Sequence, residues 1–318
     1  MVHVAEKENA MTKRMPFPQT LLAAVKYFAD LDVARGFLAH LRWPDGITCP
    51  SCQSANVTTI KTRPMFRCRD CQRQFSVKVG TIFEDSPIGL DKWLPAVWAL
   101  SAAKNGVSSH ELARSIGVTQ KTAWFMLQRI RLAMKTKGFQ TPLVGTIEAD
   151  ETFIGGLVKN NPKRMKHRRG GWDKTTVMGV LQRKGEVRAF VIPEATGEHL
   201  QDAIRRHVSE GERVITDGHA GYKGVADEYI HEWVDHLKEY VRGQVHTNGI
   251  ENFWSLLKRS IKGTYIRPEP KHLSRYVDEQ VLRFNSRKML DAQRFAYVLG
   301  QVSGVRLTWK KLTGKDVR

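Results

Sequence analysis

The second half of the chain alternates between two hydrophobic periods, one typical of strands and one typical of helices. In chain order, the pattern predicts a strand over 144–154, paired strands over 175–183 and 186–193, a helix capped by Thr196, a strand over 213–216, and helices over 248–261 and around 276–284. Three strands in a meander, followed by helix, strand and helix, predict an α/β layer fold of the ribonuclease-H-like kind.

The segment over 86–138 reads as several helices, two of which form a candidate helix-turn-helix. Ser108 with Glu111 is the pattern of a capping box. Gly117 suits the left-handed end of a helix, and Thr119 can cap the next one. These features suit tight helix-turn-helix packing. The alternative is an ordinary helical hairpin, and the basic chain with its adjacent cysteine pairs favours the DNA-binding motif. The exposed positions predicted to face DNA are Gln120, Lys121, Trp124, Gln128 and Arg129.

Four cysteines form two C-x2-C pairs, Cys49 with Cys52 and Cys68 with Cys71. This spacing matches a structural zinc site, in which four thiolates surround one tetrahedral Zn²⁺ and leave no open coordination position. Zinc then supplies folding free energy that so short a segment cannot obtain from a core. Two redox pairs, or incidental thiols, would not explain the paired spacing.

The charge of the chain indicates what kind of partner it binds. The 318 residues include 51 Lys and Arg against 32 Asp and Glu, a formal net charge of +19. Such an excess indicates a polyanionic partner, with double-stranded DNA ahead of an anionic membrane. The apolar stretch over 93–103 is shorter than the roughly 20 residues of a membrane-spanning helix. With no secretory signal apparent, we expect a cytoplasmic, nucleoid-associated protein.

Three carboxylates stand at positions suited to chemistry in such a fold. Asp150 lies on the predicted central strand, where an unpaired charge is costly unless it holds a cation. Asp217 ends a buried strand just before Gly218, a common place for active-site residues in α/β sheets. Glu251 and Lys258 lie about two helical turns apart and therefore share one helix face.

The three carboxylates form a candidate site for Mg²⁺ or Mn²⁺, because these ions prefer hard oxygen ligands. Two such ions about 4 Å apart can activate an attacking hydroxyl and stabilise the leaving oxygen at phosphorus. Lys258 would hold a DNA phosphate beside them. Glu148 shares a strand face with Asp150 and is a rival ligand, whereas Glu151 points to the other face and is predicted to be structural or supporting.

A basic segment over 159–169 joins two predicted strands close to Asp150 and contains no acidic residue. One interpretation is a clamp on DNA phosphates, with contacts that are independent of sequence and sensitive to salt. The alternative is a solvated loop. The residues predicted to contact DNA are Lys163, Arg164, Lys166, Arg168 and Arg169.

Several motifs occur together in this chain. They are the C-x2-C pairs, Asp-Glu-Thr-Phe-Ile-Gly-Gly at 150–156, Thr-Asp-Gly at 216–218, His-Thr-Asn-Gly-Ile-Glu-Asn-Phe-Trp-Ser-Leu-Leu-Lys-Arg at 246–259 and Arg-Phe-Asn-Ser-Arg at 283–287. The set resembles bacterial insertion-sequence transposases, in particular the IS1595 family with its zinc ribbon and ISXO-like transposase domain. The resemblance covers roughly residues 20–300, and the motif at 246–259 is its most specific part.

The resemblance implies a DDE-type DNA transposase that binds the terminal inverted repeats of its element and catalyses metal-dependent DNA cleavage and strand transfer. It matches Asp150, Asp217 and Glu251 to the acidic triad and Lys258 to the basic residue after it. Some relatives carry Asn as the third residue, which leaves Asn248 as an alternative to Glu251. Assembly of several copies on terminal and target DNA is also implied.

The chain is predicted to consist of an N-terminal helical segment (1–42), a zinc ribbon (43–85), a helix-turn-helix region (86–140), a ribonuclease-H-like DDE catalytic domain (141–300) and a C-terminal tail (301–318). Two other functions remain open on the sequence alone. A ribonuclease-H-like nuclease or resolvase would stop after hydrolysis. A regulator would bind DNA through the N-terminal segments while its acidic site stays idle.

Overall fold

The computed structural model describes residues 17–135, 141–155, 174–234 and 245–314, which fold into two compact units: Met1–Met134 with Met289–Arg318, and Lys135–Lys288. The helices are α1 (Leu21–Phe28), α2 (Leu31–Arg42), α3 (Leu90–Ala102), α4 (Ser109–Ile116), α5 (Gln120–Met134), α6 (Gly197–His207), α7 (Asn248–Ser260), α8 (Pro270–Asn285), α9 (Asp291–Gly300) and α10 (Trp309–Thr313). The strands are β1 (Val57–Ile60), β2 (Met65–Cys68), β3 (Gln74–Phe75), β4 (Thr146–Gly155), β5 (Lys174–Gln182), β6 (Val187–Ile192), β7 (Arg213–Asp217) and β8 (Ile230–Val234). A 3₁₀ helix (Ala220–Asp227) follows β7, and a π-helix (Ile261–Tyr265) continues α7. In the ranges described, no helix has the length and apolar character needed to cross a membrane.

The first unit packs around α3, whose Trp93 and Trp98 are buried. The ring of Phe295, on α9, lies 4.7 Å from that of Trp98 and 6.1 Å from that of Phe28 on α1. Because α9 buries its apolar side among these rings, residues 289–318 belong to this unit. The division therefore differs from the predicted catalytic segment 141–300, whose last part is α9.

Local side-chain chemistry sets the ends of α4 and α5. Ser108 Oγ accepts the N–H of Glu111 at 3.1 Å, and Gly117 ends α4 with a φ of 63°. Thr119 Oγ1 accepts the N–H of Thr122 at 3.2 Å at the start of α5. Hydroxyl caps satisfy the free N–H groups of a first turn, and glycine tolerates the left-handed backbone after a last one. The predicted caps and the turn between the two helices are confirmed.

The second unit is a five-stranded sheet with the order β6-β5-β4-β7-β8. Strands β4, β5 and β6 are antiparallel neighbours, whereas β7 and β8 run parallel to β4. The predicted hairpin of β5 and β6 is confirmed, and Lys184 in its turn has a φ of 62°. Strand β8 is absent from the sequence prediction, because its residues Ile-His-Glu-Trp-Val follow no regular alternation.

Alternate residues of this sheet enter two separate cores, as the pleat of a strand requires. Val177 of β5 packs in the core that includes α7 and α8, whereas the next residue, Met178, packs in the core that includes α6 and the 3₁₀ helix. Both faces of the sheet are therefore covered. A charged side chain on the central strand β4 consequently needs either a partner or an opening to solvent.

Glu148 is a charged residue of β4 that has such partners, and they connect β4 to the start of α7. Its side chain is 1% exposed, and Oε1 accepts from Arg183 Nε at 2.9 Å. Oε2 accepts the backbone N–H of Ile250 at 2.9 Å. A Cβ on Gly249 would lie 2.7 Å from Oε2, so glycine gives the carboxylate room at the helix start. Free N–H groups and the helix dipole stabilise an anion there.

Arg183→Ala should lower the free energy of unfolding by about 3 kcal/mol, because it leaves the charge of Glu148 buried without its cation. The matched control is Arg206→Ala, which removes a pair with Asp202 that is largely exposed and should cost about 1 kcal/mol or less. Urea denaturation followed by circular dichroism measures both losses. Equal losses in the two variants would contradict the structural role given to Glu148.

Candidate functional site

Asp150 and Asp217 lie side by side on neighbouring strands. Glu148 of β4 and Ile215 of β7 are the last pair of these parallel strands, and Asp150 and Asp217 each lie two residues beyond it. The two carboxylates are close enough for the charge of Asp217 to raise the pKa of Asp150. Asp217 is the last residue of β7, and its Oδ1 accepts the N–H of His219 at 3.1 Å where the chain leaves the strand. Both aspartates are partly exposed. The strand pairing therefore brings the two predicted acidic residues together at one place in the sheet.

The indole of Trp254 holds the carboxylate of Asp150. Trp254 lies on α7, and its Nε1 donates to Asp150 Oδ2 at 2.9 Å. The residue opposite Asp150 on β5 is Gly179, where a Cβ would lie 2.8 Å from the Trp254 ring. The missing side chain at Gly179 thus lets the indole lie against the sheet and reach the aspartate. The sequence predicts neither the hydrogen bond from Trp254 nor the close packing at Gly179, although a lone glycine inside a strand often marks such a close approach.

The surroundings of Asp150 disfavour its charged form. Burial and the negative charges of Glu151 and Asp217 raise the pKa of Asp150 to about 7, from an ordinary value of 3.8. The hydrogen bond from Trp254 acts in the opposite direction and is outweighed. Across the ranges described, no Lys or Arg forms an ion pair with any of these three carboxylates. A bound cation would offset this excess of negative charge.

Glu151 also belongs to this neighbourhood. As the strand alternation predicts, it points to the opposite face of β4 from Asp150, where the hydroxyl of Tyr222 donates to its Oε2 at 2.5 Å. It nevertheless lines the same groove as Asp150. Burial raises the pKa of Glu151, and so does the charge of Asp217. Glu151 is therefore electrostatically coupled to the two aspartates.

An open groove of about 520 Å³ runs along β4 and α7. Glu251 enters it from the first turn of α7, and Thr247 Oγ1 donates to Glu251 Oε1 at 2.8 Å. The groove is lined by Asp150, Glu151, Thr152, Glu251, Trp254, Ser255, Lys258, Arg259 and Lys262. Acidic and basic side chains thus line one opening. Asp217 is not part of the lining but lies next to Asp150.

The alternative ligands that the sequence suggests lie elsewhere. Asn248 is the first residue of α7, is exposed, and is not among the residues that line this groove. Both oxygens of Glu148 are engaged, by Arg183 and by the backbone of Ile250. Of the three residues that the sequence suggests as the third ligand, namely Glu251, Asn248 and Glu148, Glu251 is the one that lines the groove.

The cysteines form the compact metal-ligand cluster of the described chain. The Sγ atoms of Cys49, Cys52, Cys68 and Cys71 all lie within 4.8 Å of one another, with 3.6 Å between Cys49 and Cys71 and 3.5 Å between Cys52 and Cys68. Zn–S bonds of about 2.3 Å in a tetrahedron separate the sulfurs by about 3.8 Å, so the donor set fits Zn²⁺. The N–H of Cys71 donates to Cys68 Sγ and lowers the pKa of that thiol, which favours the thiolate.

The acidic residues are spread more widely than the cysteines. Among residues with described positions, no group of three carboxylates or imidazoles gathers its ligand atoms within 4.8 Å as the thiols do. Asp150, Asp217 and Glu251 therefore surround a space wider than one tight coordination sphere.

Of the residues predicted to contact DNA, the two at the start of α5 are exposed. Gln120 and Lys121 are exposed, and Lys121 Nζ lies 4.9 Å from the ring centroid of Trp309 on α10. The same ring lies 5.9 Å from that of Trp124, which is half-buried. The short helix α10, which no local sequence pattern predicts, thus packs beside this part of α5.

Gln128 and Arg129 are buried, at 0% and 4% exposure, and the prediction that they face DNA is wrong. Arg129 donates through Nη1 to the carbonyl of Ile82 and through Nε to that of Leu307, both at 3.0 Å. The prediction fails because segments distant in sequence cover this turn of α5. Lys163, Arg164, Lys166, Arg168 and Arg169 lie outside the described residues.

Two protein families with known sequence models match parts of this chain. The sequence model of the ISXO2-like transposase domain matches residues 142–285, and that of the transposase zinc-ribbon domain matches residues 32–74. The chain is 32% identical, over 253 residues, to a protein of Halobacterium salinarum described as an uncharacterized protein in transposable element ISH50. The aligned region covers 74% of this chain and 84% of that protein.

Asp150→Asn should raise the melting temperature in buffer freed of divalent cations, because asparagine keeps the shape and removes a disfavoured charge. The pKa of Asp150 is raised to about 7, so the cost of its charge is complete above that pH and declines as the pH falls toward 3.8. The difference from wild type should be several degrees at pH 8 and shrink by more than half at pH 5. The control is Asp227→Asn at an exposed position. A difference that stays constant with pH would contradict this environment for Asp150.

Proposed function

Because the chain belongs to the ISXO2-like family of insertion-sequence transposases, we propose that it is a DDE-type enzyme that cuts the ends of its element and joins them to target DNA. The observation that carries the proposal is the proximity of Asp150 and Asp217 on the parallel strands β4 and β7, beside a groove that Glu251 enters from α7. The sheet, with three antiparallel strands followed by two parallel ones, supports a ribonuclease-H-like catalytic domain.

Divalent cations fit the donor set of this site. Asp150, Asp217 and Glu251 offer hard carboxylate oxygens, which suit Mg²⁺ or Mn²⁺. Ligands of two ions about 4 Å apart do not all converge on one point, which agrees with the spread of these side chains. When bound, such ions polarise the phosphodiester and stabilise the attacking and leaving oxygens.

The protein's own residues orient these ligands and the DNA. Trp254 fixes the carboxylate of Asp150, and Thr247 fixes that of Glu251. Lys258 lies further along the groove, so its ammonium group would bind a phosphate next to the one being attacked. Arg259 and Lys262 extend the basic part of this opening. Water would open the strand at the element's end, and the freed 3′-hydroxyl would attack target DNA without a protein nucleophile.

Recognition of the terminal inverted repeats would fall to the first unit. This unit contains the zinc ribbon and the capped pair α4 and α5, and α5 presents Gln120 and Lys121 on its surface. The whole chain has a net charge of +19. Phosphate contacts of this kind position a protein on DNA, and base contacts give specificity. We propose that several copies assemble on paired ends. The basic segment over 159–169 stays a predicted clamp.

Asp150→Asn and Asp217→Asn should each reduce Mg²⁺-dependent nicking of a labelled element end by at least about a hundredfold, because each removes a charge that holds the cation. Binding to the uncleaved end should stay unchanged. Glu251→Gln should behave in the same way, whereas Asn248→Ala and the exposed control Asp227→Asn should keep activity. A gel assay with paired ends and a target plasmid measures nicking and joining together.

The outcomes separate the candidate functions. Joined products show strand transfer, and nicked ends that never join would assign a nuclease or resolvase instead. Nicking by the two aspartate variants at the wild-type rate would mean that this groove does not carry the chemistry. Loss of activity in Asn248→Ala but not in Glu251→Gln would move the third position to Asn248.

A further inference from the structure

Two consecutive carboxylates of β4 are held by aromatic donors on opposite faces of the sheet. Trp254, on α7, donates to Asp150 Oδ2 at 2.9 Å. Tyr222, on the 3₁₀ helix, donates to Glu151 Oε2 at 2.5 Å. Strand alternation alone would separate the two side chains completely. Both residues nevertheless line one groove, and the charge of Asp217 raises the pKa of each, so the two carboxylates flank the same aspartate.

Tyr222 is anchored to the same chain segment as Asp217. Its side chain is 1% exposed, and it lies five residues after Asp217 at the end of β7. Asp217 Oδ1 accepts the N–H of His219, and His219 Nδ1 accepts the N–H of Gly221 at 3.2 Å. Hydrogen bonds therefore connect the end of β7 to the 3₁₀ helix, and Tyr222 connects that helix back to β4. This arrangement fixes Glu151 relative to the Asp150–Asp217 pair.

A purely structural glutamate would be a poor choice at this position. Its charge lies close to those of Asp150 and Asp217, and like charges at short range oppose folding. A glutamine could accept the same hydrogen bond from Tyr222 without that repulsion. Glu148, two residues before Asp150, is a structural carboxylate of the same strand, and Arg183 neutralises its charge. His219 lies near Glu151 and lowers its pKa, but no Lys or Arg of the described chain forms an ion pair with this carboxylate.

We propose that Glu151 is a fourth carboxylate ligand of the divalent-cation site and that Tyr222 is the residue that positions it. The inference rests on the proposed function, since it needs the cation site of Asp150 and Asp217. One oxygen of Glu151 accepts from Tyr222, and no other side chain of the described residues donates to this carboxylate.

The test measures Mn²⁺ binding by calorimetry to the full-length, zinc-loaded protein in the absence of DNA. Glu151→Gln should weaken binding by at least about tenfold, and Tyr222→Phe by about tenfold, because loss of a residue that orients a metal ligand has effects of this size. Tyr229→Phe is the matched control: its hydroxyl, in the same unit, donates to the carbonyl of Val208 at 3.4 Å, away from the groove. This control should bind Mn²⁺ as the wild type does.

Melting temperatures measured without divalent cations are a second readout. A ligand role and a purely structural role of Glu151 predict changes of opposite sign. Glu151→Gln should melt above wild type, because it relieves repulsion, and should gain less stability when Mn²⁺ is added. A lower melting temperature together with unchanged Mn²⁺ affinity would overturn the proposal. Asp150→Asn distinguishes failure of the role given to Glu151 from failure of the cation site itself. If it loses Mn²⁺ binding while Glu151→Gln keeps it, only the role of Glu151 fails; if Asp150→Asn keeps it too, the cation site itself is wrong.

Discussion

The negative charge of Asp150 on the central strand is the feature on which the candidate site depends. A sheet covered on both faces offers a carboxylate little solvation, and neighbouring Glu151 and Asp217 add repulsion. The structure meets this cost with the groove beside α7 and the indole of Trp254, which fits only because Gly179 lacks a side chain. A position maintained against such a cost is typical of a functional residue.

Glu148 and Asp150 show two different solutions to the same problem on one strand face. Glu148 is paired with Arg183 and with a helix N-terminus, so its charge is used to hold α7 against the sheet. Asp150 has a neutral donor and two acidic neighbours, so its charge remains available to a cation. Sequence spacing cannot separate the two, because both lie on the same face of a strand. Only their partners, which come from distant segments, distinguish a structural carboxylate from a candidate ligand.

The sequence predicts features that depend on local chemistry. The helix caps at Ser108 and Thr119 and the hairpin of β5 and β6 follow from short patterns, and the structure has them. The cluster of four thiols also follows from residue type and spacing, since paired C-x2-C cysteines suit zinc. Features that depend on distant contacts are missed. Arg129 is buried where it donates to the carbonyls of Ile82 and Leu307, and α9 joins the first unit because Phe295 packs against Trp98.

Anomalous scattering from Mn²⁺ in crystals of the zinc-loaded protein tests the central claim most directly, because it locates the ion without reference to activity. We expect a peak beside the carboxylates of Asp150 and Asp217, on the side of the groove that Glu251 enters. We expect no peak at Glu148, whose oxygens are already engaged. An ion bound at Glu148, or no ion beside Asp150 and Asp217 at Mn²⁺ concentrations that support DNA cleavage, would contradict the assignment of this groove as the catalytic site.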